Sequence, residues 1–138
     1  MSFNQDISGW SFNNLTGLFF SFAGAGSFNQ DISNWDVSNC DSFNVAFSGA
    51  SFFNQNLGNW DLSSAVGLIG FLNASGLSTA NYNLTLHGWV NGGWTIPIGL
   101  TLGASGLVAD SSSGGVDGLA ARTTLINTYG WTIIDATP

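Results

Sequence analysis

Ser27-Phe28-Asn29-Gln30-Asp31-Ile32-Ser33-Asn34-Trp35-Asp36-Val37 has a near-copy on either side of it. Ser2-Phe3-Asn4-Gln5-Asp6-Ile7-Ser8-Gly9-Trp10 precedes it, and Phe52-Phe53-Asn54-Gln55-Asn56-Leu57-Gly58-Asn59-Trp60-Asp61-Leu62 follows. The tryptophans stand at 10, 35 and 60, a period of 25 residues with no slippage. Self-similarity at a fixed period of this size marks a repeat architecture, in which each unit buries its apolar face against the next.

Within each unit the apolar positions keep one order: Ile7-x-x-Trp10-x-Phe12-x-x-Leu15, Ile32-x-x-Trp35-x-Val37-x-x-Cys40, and Leu57-x-x-Trp60-x-Leu62-x-x-Ala65. This matches the L-x-x-L-x-L-x-x-N/C frame of a leucine-rich repeat, with Trp in the central slot. On a strand, Trp10 and Phe12 share the inner side while Gly9, Ser11 and Asn13 face out. The spacing then changes to three and four: Leu15, Leu18 and Phe22 become Cys40, Phe43 and Phe47, then Ala65, Leu68 and Leu72, the pattern of a short helical leg. Asn13, Ser38 and Ser63 sit where an N-cap falls, and Gly24 and Gly49 close the turns. Residues 1–72 therefore predict an α/β fold, a leucine-rich-repeat-like parallel solenoid of three 25-residue coils. Its indoles form one buried column, and Asn4, Asn29 and Asn54 with Gln5, Gln30 and Gln55 stack as amide ladders at about 4.8 Å.

From residue 73 the repeat dissolves. Ser78-Thr79-Ala80-Asn81-Tyr82 opens a helix with Tyr82, Leu86, Trp89 and Val90 on one face, and Asn91-Gly92-Gly93 stops it. Residues 94–102, with Pro97, read as an extended segment, and Ser111-Ser112-Ser113-Gly114-Gly115 as a loop. Asp117 caps a second helix carrying Leu119, Arg122, Leu125, Ile126 and Tyr129, and Trp131-Thr132-Ile133-Ile134 is a last strand. Residues 73–138 are expected to be a C-terminal α/β capping region, continuous with the repeats, because a stack of repeats needs its end covered.

The motif at 28–39, Phe-Asn-Gln-Asp-Ile-Ser-Asn-Trp-Asp-Val-Ser-Asn, resembles the BspA-like leucine-rich class of bacterial surface proteins, also described as the DUF285 repeat. The likeness covers residues 2 to about 72. The later segments around Leu77–Tyr82, Gly88-Trp89 and Ala120 to Ile133 resemble the region that follows such repeats in secreted bacterial proteins. The resemblance implies a secreted or cell-surface location and a part in adhesion. The chain departs from the family's helical leg, where methionines are usual: Leu18, Phe43 and Leu68 take one of those places, and Ser21, Ala46 and Phe71 the other.

Composition limits the partners. With 44% hydrophobic residues among 138, low charge (7%) does not signal disorder, and the chain is long enough for one continuous core. A single basic residue, Arg122, and eight acids, all aspartate, give a net charge of −7, which excludes a phosphate backbone as partner. No apolar run is long enough to span a bilayer, and no signal-peptide pattern follows Met1. Cys40 is alone, so no internal disulfide forms, and Asn14, Asn73 and Asn83 begin glycosylation sequons.

No catalytic constellation stands out. His87 is the only histidine and has no nucleophile beside it in sequence, so no enzymatic activity is expected and no cofactor is implied. Asp36 and Asp61 share an outward slot on adjacent units; a bridging calcium ion is the minor reading of that pair. The outward polar set Ser11, Asn34, Asp36, Ser38, Asn59, Asp61 and Ser63 is the expected ligand face, suited to a protein or glycan. Phe19, Phe20, Ile69 and Phe71 form an expected outer apolar surface, having no counterparts of like kind in the middle unit. Phe3, Ile7, Trp10 and Phe12 form an expected open edge at the first unit, able to template association. Two functions follow. One is an extracellular adhesion module working through the polar face; the other is a self-assembling, homo-oligomeric subunit of a filament or virion using the open edge.

Overall fold

The computed structural model describes residues 2–11 and 14–138. Phe12 and Asn13, placed above on the open edge and at a cap, lie outside the described residues. Consecutive repeats are joined through their backbones. Leu18, Phe20, Phe22 and Gly24 donate their N–H groups to the carbonyls of Ser42, Asn44, Ala46 and Ser48 at 2.8 to 3.1 Å. Phe43, Val45, Phe47 and Gly49 donate in the same way to Gly67, Ile69, Phe71 and Asn73 at 2.8 to 2.9 Å. Isolated parallel bridges, Gly17 to Ser42 and Ser42 to Gly67, set equivalent residues of neighbouring repeats side by side.

These contacts do not make the leucine-rich-repeat-like solenoid of three coils that the sequence predicts. Among the described residues up to 72 there is no β-strand and no helix; the elements are α1 (Thr79–Asn91), β1 (Thr101–Gly103), a 3-10 turn (Ser113–Gly115), α2 (Gly118–Asn127) and β2 (Thr132–Ile134). The expected strand is a run of turns. Trp35 N–H returns to Ile32 O and Cys40 N–H to Val37 O, so the two residues between each apolar pair are turn corners. Asp31 and Asp36 Oδ1 accept the N–H of Ser33 and Ser38 two residues on. An aspartate that bonds its own backbone in this way favours a turn over an extended ladder. The expected helical leg fails because Phe20 and Val45 take φ of 58° and 61°, and Gly24, Gly49 and Gly70 are also left-handed. A right-handed helix cannot pass through such residues, and the N–H groups of Phe20, Gly24, Val45 and Gly49 point to the next repeat instead of along an axis.

What the period does control is side-chain packing. Phe3, Phe28 and Phe53 stack with centroids 5.7 and 5.9 Å apart, while Phe22 and Phe47, 5.2 Å apart, lie flat against that column. Trp35 Nε1 donates to Ile7 O at 3.2 Å and Trp60 Nε1 to Ile32 O at 3.0 Å. Each buried indole thus has a partner for its polar edge. The expected column of three buried indoles is incomplete: Trp35 and Trp60 are 5% and 0% exposed, but Trp10 is 58% exposed. The amides also climb the stack. Asn4 Oδ1 accepts Asn29 N–H and Gln30 Nε2, and Asn29 Oδ1 accepts Asn54 N–H and Gln55 Nε2.

The C-terminal half continues these ladders with a different backbone. Helix α1 starts at the Ser78 cap, whose Oγ accepts Asn81 N–H, and ends at Gly92. Ser78 N–H and Asn81 Nδ2 reach Asn54 Oδ1 as Asn54 and Gln55 reach Asn29 one repeat lower. Trp89 Nε1 donates to Leu57 O at 3.0 Å, and Thr85 Oγ1 accepts Leu57 N–H. The helix can sit this close because Gly58 replaces the Ser8 and Ser33 of the other repeats, and a Cβ on Gly88 would collide with Gly58. Beside it, Leu68 bridges to Leu102, and β1 pairs in parallel with β2. Asp117 caps α2 by accepting Ala120 N–H.

Candidate functional site

The end of the stack formed by the first repeat, here the lower end, is open around Trp10. The indole lines an apolar cleft of about 350 Å³ together with Phe3, Ile7, Leu15, Leu18, Phe22 and Trp35. It also lines a polar cleft of about 290 Å³, together with Ser8, Gly9, Ser11, Asn34, Trp35 and Asp36. The tier-to-tier register creates both: Asn34 and Asp36 belong to the second repeat, Ser11 and Trp10 to the first, and stacking at 25 residues brings them together.

Asp36 holds this polar wall in place. Its Oδ1 accepts the Ser38 hydroxyl at 2.6 Å and the Ser38 N–H at 3.0 Å, and those bonds hold its carboxyl below the usual aspartate range. Asn34 Nδ2 lies 3.5 Å from Ser8 O. Of the seven expected ligand-face residues, Ser11, Asn34 and Asp36 line one cleft, with Ser38 behind Asp36. Asn59, Asp61 and Ser63 belong to the third repeat, where Asp61 Oδ1 accepts Ser63 N–H, and they line neither cleft. Among the described residues no sheet face joins the two sets. Asp36 and Asp61 each use an oxygen to close a turn, and among the described residues no group of three acidic, imidazole or thiol side chains stands ready for a metal ion.

Of the expected open edge, Phe3, Ile7 and Trp10 line the apolar cleft. Of the expected outer surface, Phe19 and Phe20 are 60% and 51% exposed and meet edge to face at 4.5 Å, and Ile69 is 60% exposed. Phe71 is not on it. It is fully buried against Phe43, Phe47, Trp60 and Trp89, because its position in the third repeat points to the core that helix α1 closes. Phe52 and Val66, 68% and 74% exposed, were missed, since each lies beside a core position in sequence.

Other polar residues serve the scaffold. Asn83, the start of a sequon, is buried and donates to Asp110 O, Asp110 Oδ1 and Ser113 O. Asp110 is held well below the usual range, first by the Ser113 hydroxyl and then by the N–H groups of Ser113 and Ser112 and by Asn83. Arg122 pairs with Asp135 at 2.9 Å, and Tyr82 donates its hydroxyl to the same carboxylate at 2.8 Å. Burial pushes the Asp135 carboxyl up, but bonds from Arg122, Tyr82 and Thr137 outweigh it and leave the group below its ordinary value. Cys40 is buried, and burial followed by the charges of Asp41 and Asp36 pushes its thiol up to about 11, which keeps it protonated and unreactive. His87 sits on α1, half-buried, with Asn91 Nδ2 on its carbonyl at 3.0 Å. No described helix is long and apolar enough to cross a membrane.

A family model described as "Mycoplasma protein of unknown function, DUF285" matches residues 1–86, more than half of the chain, taking in all three repeats and the first part of α1. No curated protein and no solved structure matches.

Proposed function

This chain belongs to the DUF285 family of repeat proteins, and on that footing we propose that it is a non-enzymatic interaction module of the cell surface or extracellular space that binds glycan at the polar cleft beside Trp10. The observation that supports this reading is an indole 58% exposed on the wall of a cleft also lined by Asn34, Asp36 and Ser11. A flat aromatic face packs against the C–H face of a sugar ring while a carboxylate, an amide and a hydroxyl meet its hydroxyl groups. Asp36 suits this task because Ser38 fixes its rotamer through Oδ1 and leaves Oδ2 for a ligand. A surface made polar by Asn, Ser and Thr, with a single basic residue, fits a neutral polar ligand better than an anionic one.

Screening the chain against a glycan array, with Trp10→Ala and Asp36→Ala beside it, tests the proposal. Binding that drops at least about tenfold in both variants supports it, on the scale of one lost stacking or charge-assisted contact. Binding that neither substitution changes removes the cleft from consideration.

The second reading, a self-assembling subunit of a filament or virion, is supported by the exposed Phe19, Phe20, Phe52, Val66 and Ile69, a large apolar display for one short chain. Light scattering decides it: mass that rises with concentration and falls in a Phe19→Ser, Phe20→Ser variant favours assembly, and a constant monomer mass rules it out.

A further inference from the structure

The lower end carries more than an exposed indole. In each upper repeat the carbonyls at four alternate positions receive N–H groups from the repeat below: Ser42, Asn44, Ala46 and Ser48 in the second, Gly67, Ile69, Phe71 and Asn73 in the third. The equivalent carbonyls of the first repeat are those of Gly17, Phe19, Ser21 and Ala23. Among the described residues no hydrogen bond reaches any of them. Nor does the Asn4 N–H have the side-chain acceptor that Asn29 N–H finds in Asn4 and Asn54 N–H finds in Asn29. Phe3 stacks on Phe28 by one face and turns the other to the 350 Å³ cleft.

We infer that the lower end is a docking edge for one further tier, a polypeptide segment carrying the same Phe-Asn-Gln-Asp-Ile repeat word and laid beneath the first repeat in parallel register. The occupant follows from continuity with an interface the molecule already forms twice. A segment of this kind brings alternate N–H groups for the four carbonyls, an Asn Oδ1 for Asn4 N–H, and a phenylalanine for the open face of Phe3. Main-chain bonds supply the attachment and the Asn and Phe positions supply register, the division of labour of strand addition at an edge. A second copy of this chain does not meet the requirement. Its lower end has the N–H groups of Leu18, Phe20, Phe22 and Gly24 already committed to the tier above, and at its upper end α1 stands in place of the repeat word. The inference goes beyond glycan binding and does not depend on it, although an added tier would cover Trp10 as the first repeat covers Trp35.

The test uses the full chain and a synthetic peptide with the sequence of residues 26–50, which holds the word and the donors equivalent to Phe43, Val45, Phe47 and Gly49. Saturable binding by calorimetry, with loss of acrylamide quenching at Trp10 in a variant whose half-buried indole, Trp94, is phenylalanine, is the expected result. An Asn29→Ala peptide should bind about tenfold more weakly, having lost the amide acceptor. A peptide N-methylated at the positions of Val45 and Phe47 should lose binding, since methylation deletes two donors without altering the apolar side chains. Equal binding by a scrambled or N-methylated peptide, or none by the native one, overturns the proposal. So does a concentration-dependent dimer of the chain in which Trp10 is shielded, which would make a second copy the occupant. Glycan binding lost in Asp36→Ala while peptide binding persists separates this edge from the polar cleft.

Discussion

The two ends of the stack are finished differently. At the upper end Asn54 Oδ1 and Leu57 O are taken by Ser78, Asn81 and Trp89, and the space among Trp60, Trp89, Trp94 and Trp131 shrinks to about 10 Å³. At the lower end the corresponding region remains a cleft of about 350 Å³ under an exposed indole. A helix can therefore stand in for a turn-built repeat provided it presents the same few groups at the same heights. The unit being copied is a set of hydrogen-bonding atoms, not a backbone shape.

The largest expected contrast is between tryptophans of one sequence position. Trp60→Ala removes a fully buried indole bonded to Ile32 O and should cost about 3–5 kcal/mol in denaturant unfolding. Trp10→Ala, at the open end, should cost no more than about 1 kcal/mol. Equal costs would dissolve the distinction between the ends.

Next in size is Arg122→Met, which leaves the Asp135 carboxylate, its side chain 1% exposed, without its cation and should cost about 3 kcal/mol. Adding Asp135→Leu should restore most of that loss, because the buried charge is then gone. The same group sets a pH dependence. Its folded value lies below the ordinary one, so its stabilisation is complete above the usual carboxylate range and is lost as the pH falls through the lowered value. Tyr82 is shifted the other way, by burial and then by the Asp135 charge. Its contribution is complete below the ordinary tyrosine value near about 10 and declines as the pH rises beyond it. Thermal melts across pH should show both limbs, and Tyr82→Phe should weaken the alkaline one, leaving the part that the raised Cys40 thiol contributes.

A smaller effect tests the amide ladder. Asn54→Ala deprives Ser78 N–H and Asn81 Nδ2 of their acceptor and should cost about 1–2 kcal/mol, whereas Asn59→Ala, on an exposed turn, should stay within about 0.5 kcal/mol.

The 25-residue word made the register, the Phe column and the Asn–Gln contacts legible, because those depend only on period. The local backbone was misread. Ile32-x-x-Trp35-x-Val37 fits a strand frame, but the Asp-x-Ser steps inside it close turns, and that chemistry overrides the apolar spacing. The left-handed Phe20 and Val45 give no signal in sequence, since bulky residues rarely adopt that conformation. Both helices and the last strand form where Ser78, Asp117 and Trp131 mark them, because capping groups act locally. Of the candidate site, Ser11, Asn34 and Asp36 were singled out in the sequence as outward polar residues. Trp10 was read both as a member of a buried column and as part of an open edge; the first reading fails because a repeat pattern treats its end members like its middle ones.

The most direct measurement of the tier-to-tier backbone ladder is residue-resolved amide hydrogen exchange. Slow exchange is predicted at Phe43, Val45, Phe47 and Gly49, which donate to the third repeat, against fast exchange at Asn44, whose N–H group has no partner among the described residues. Uniform protection from 42 to 49, as in a helix, or uniform absence of protection, would contradict it.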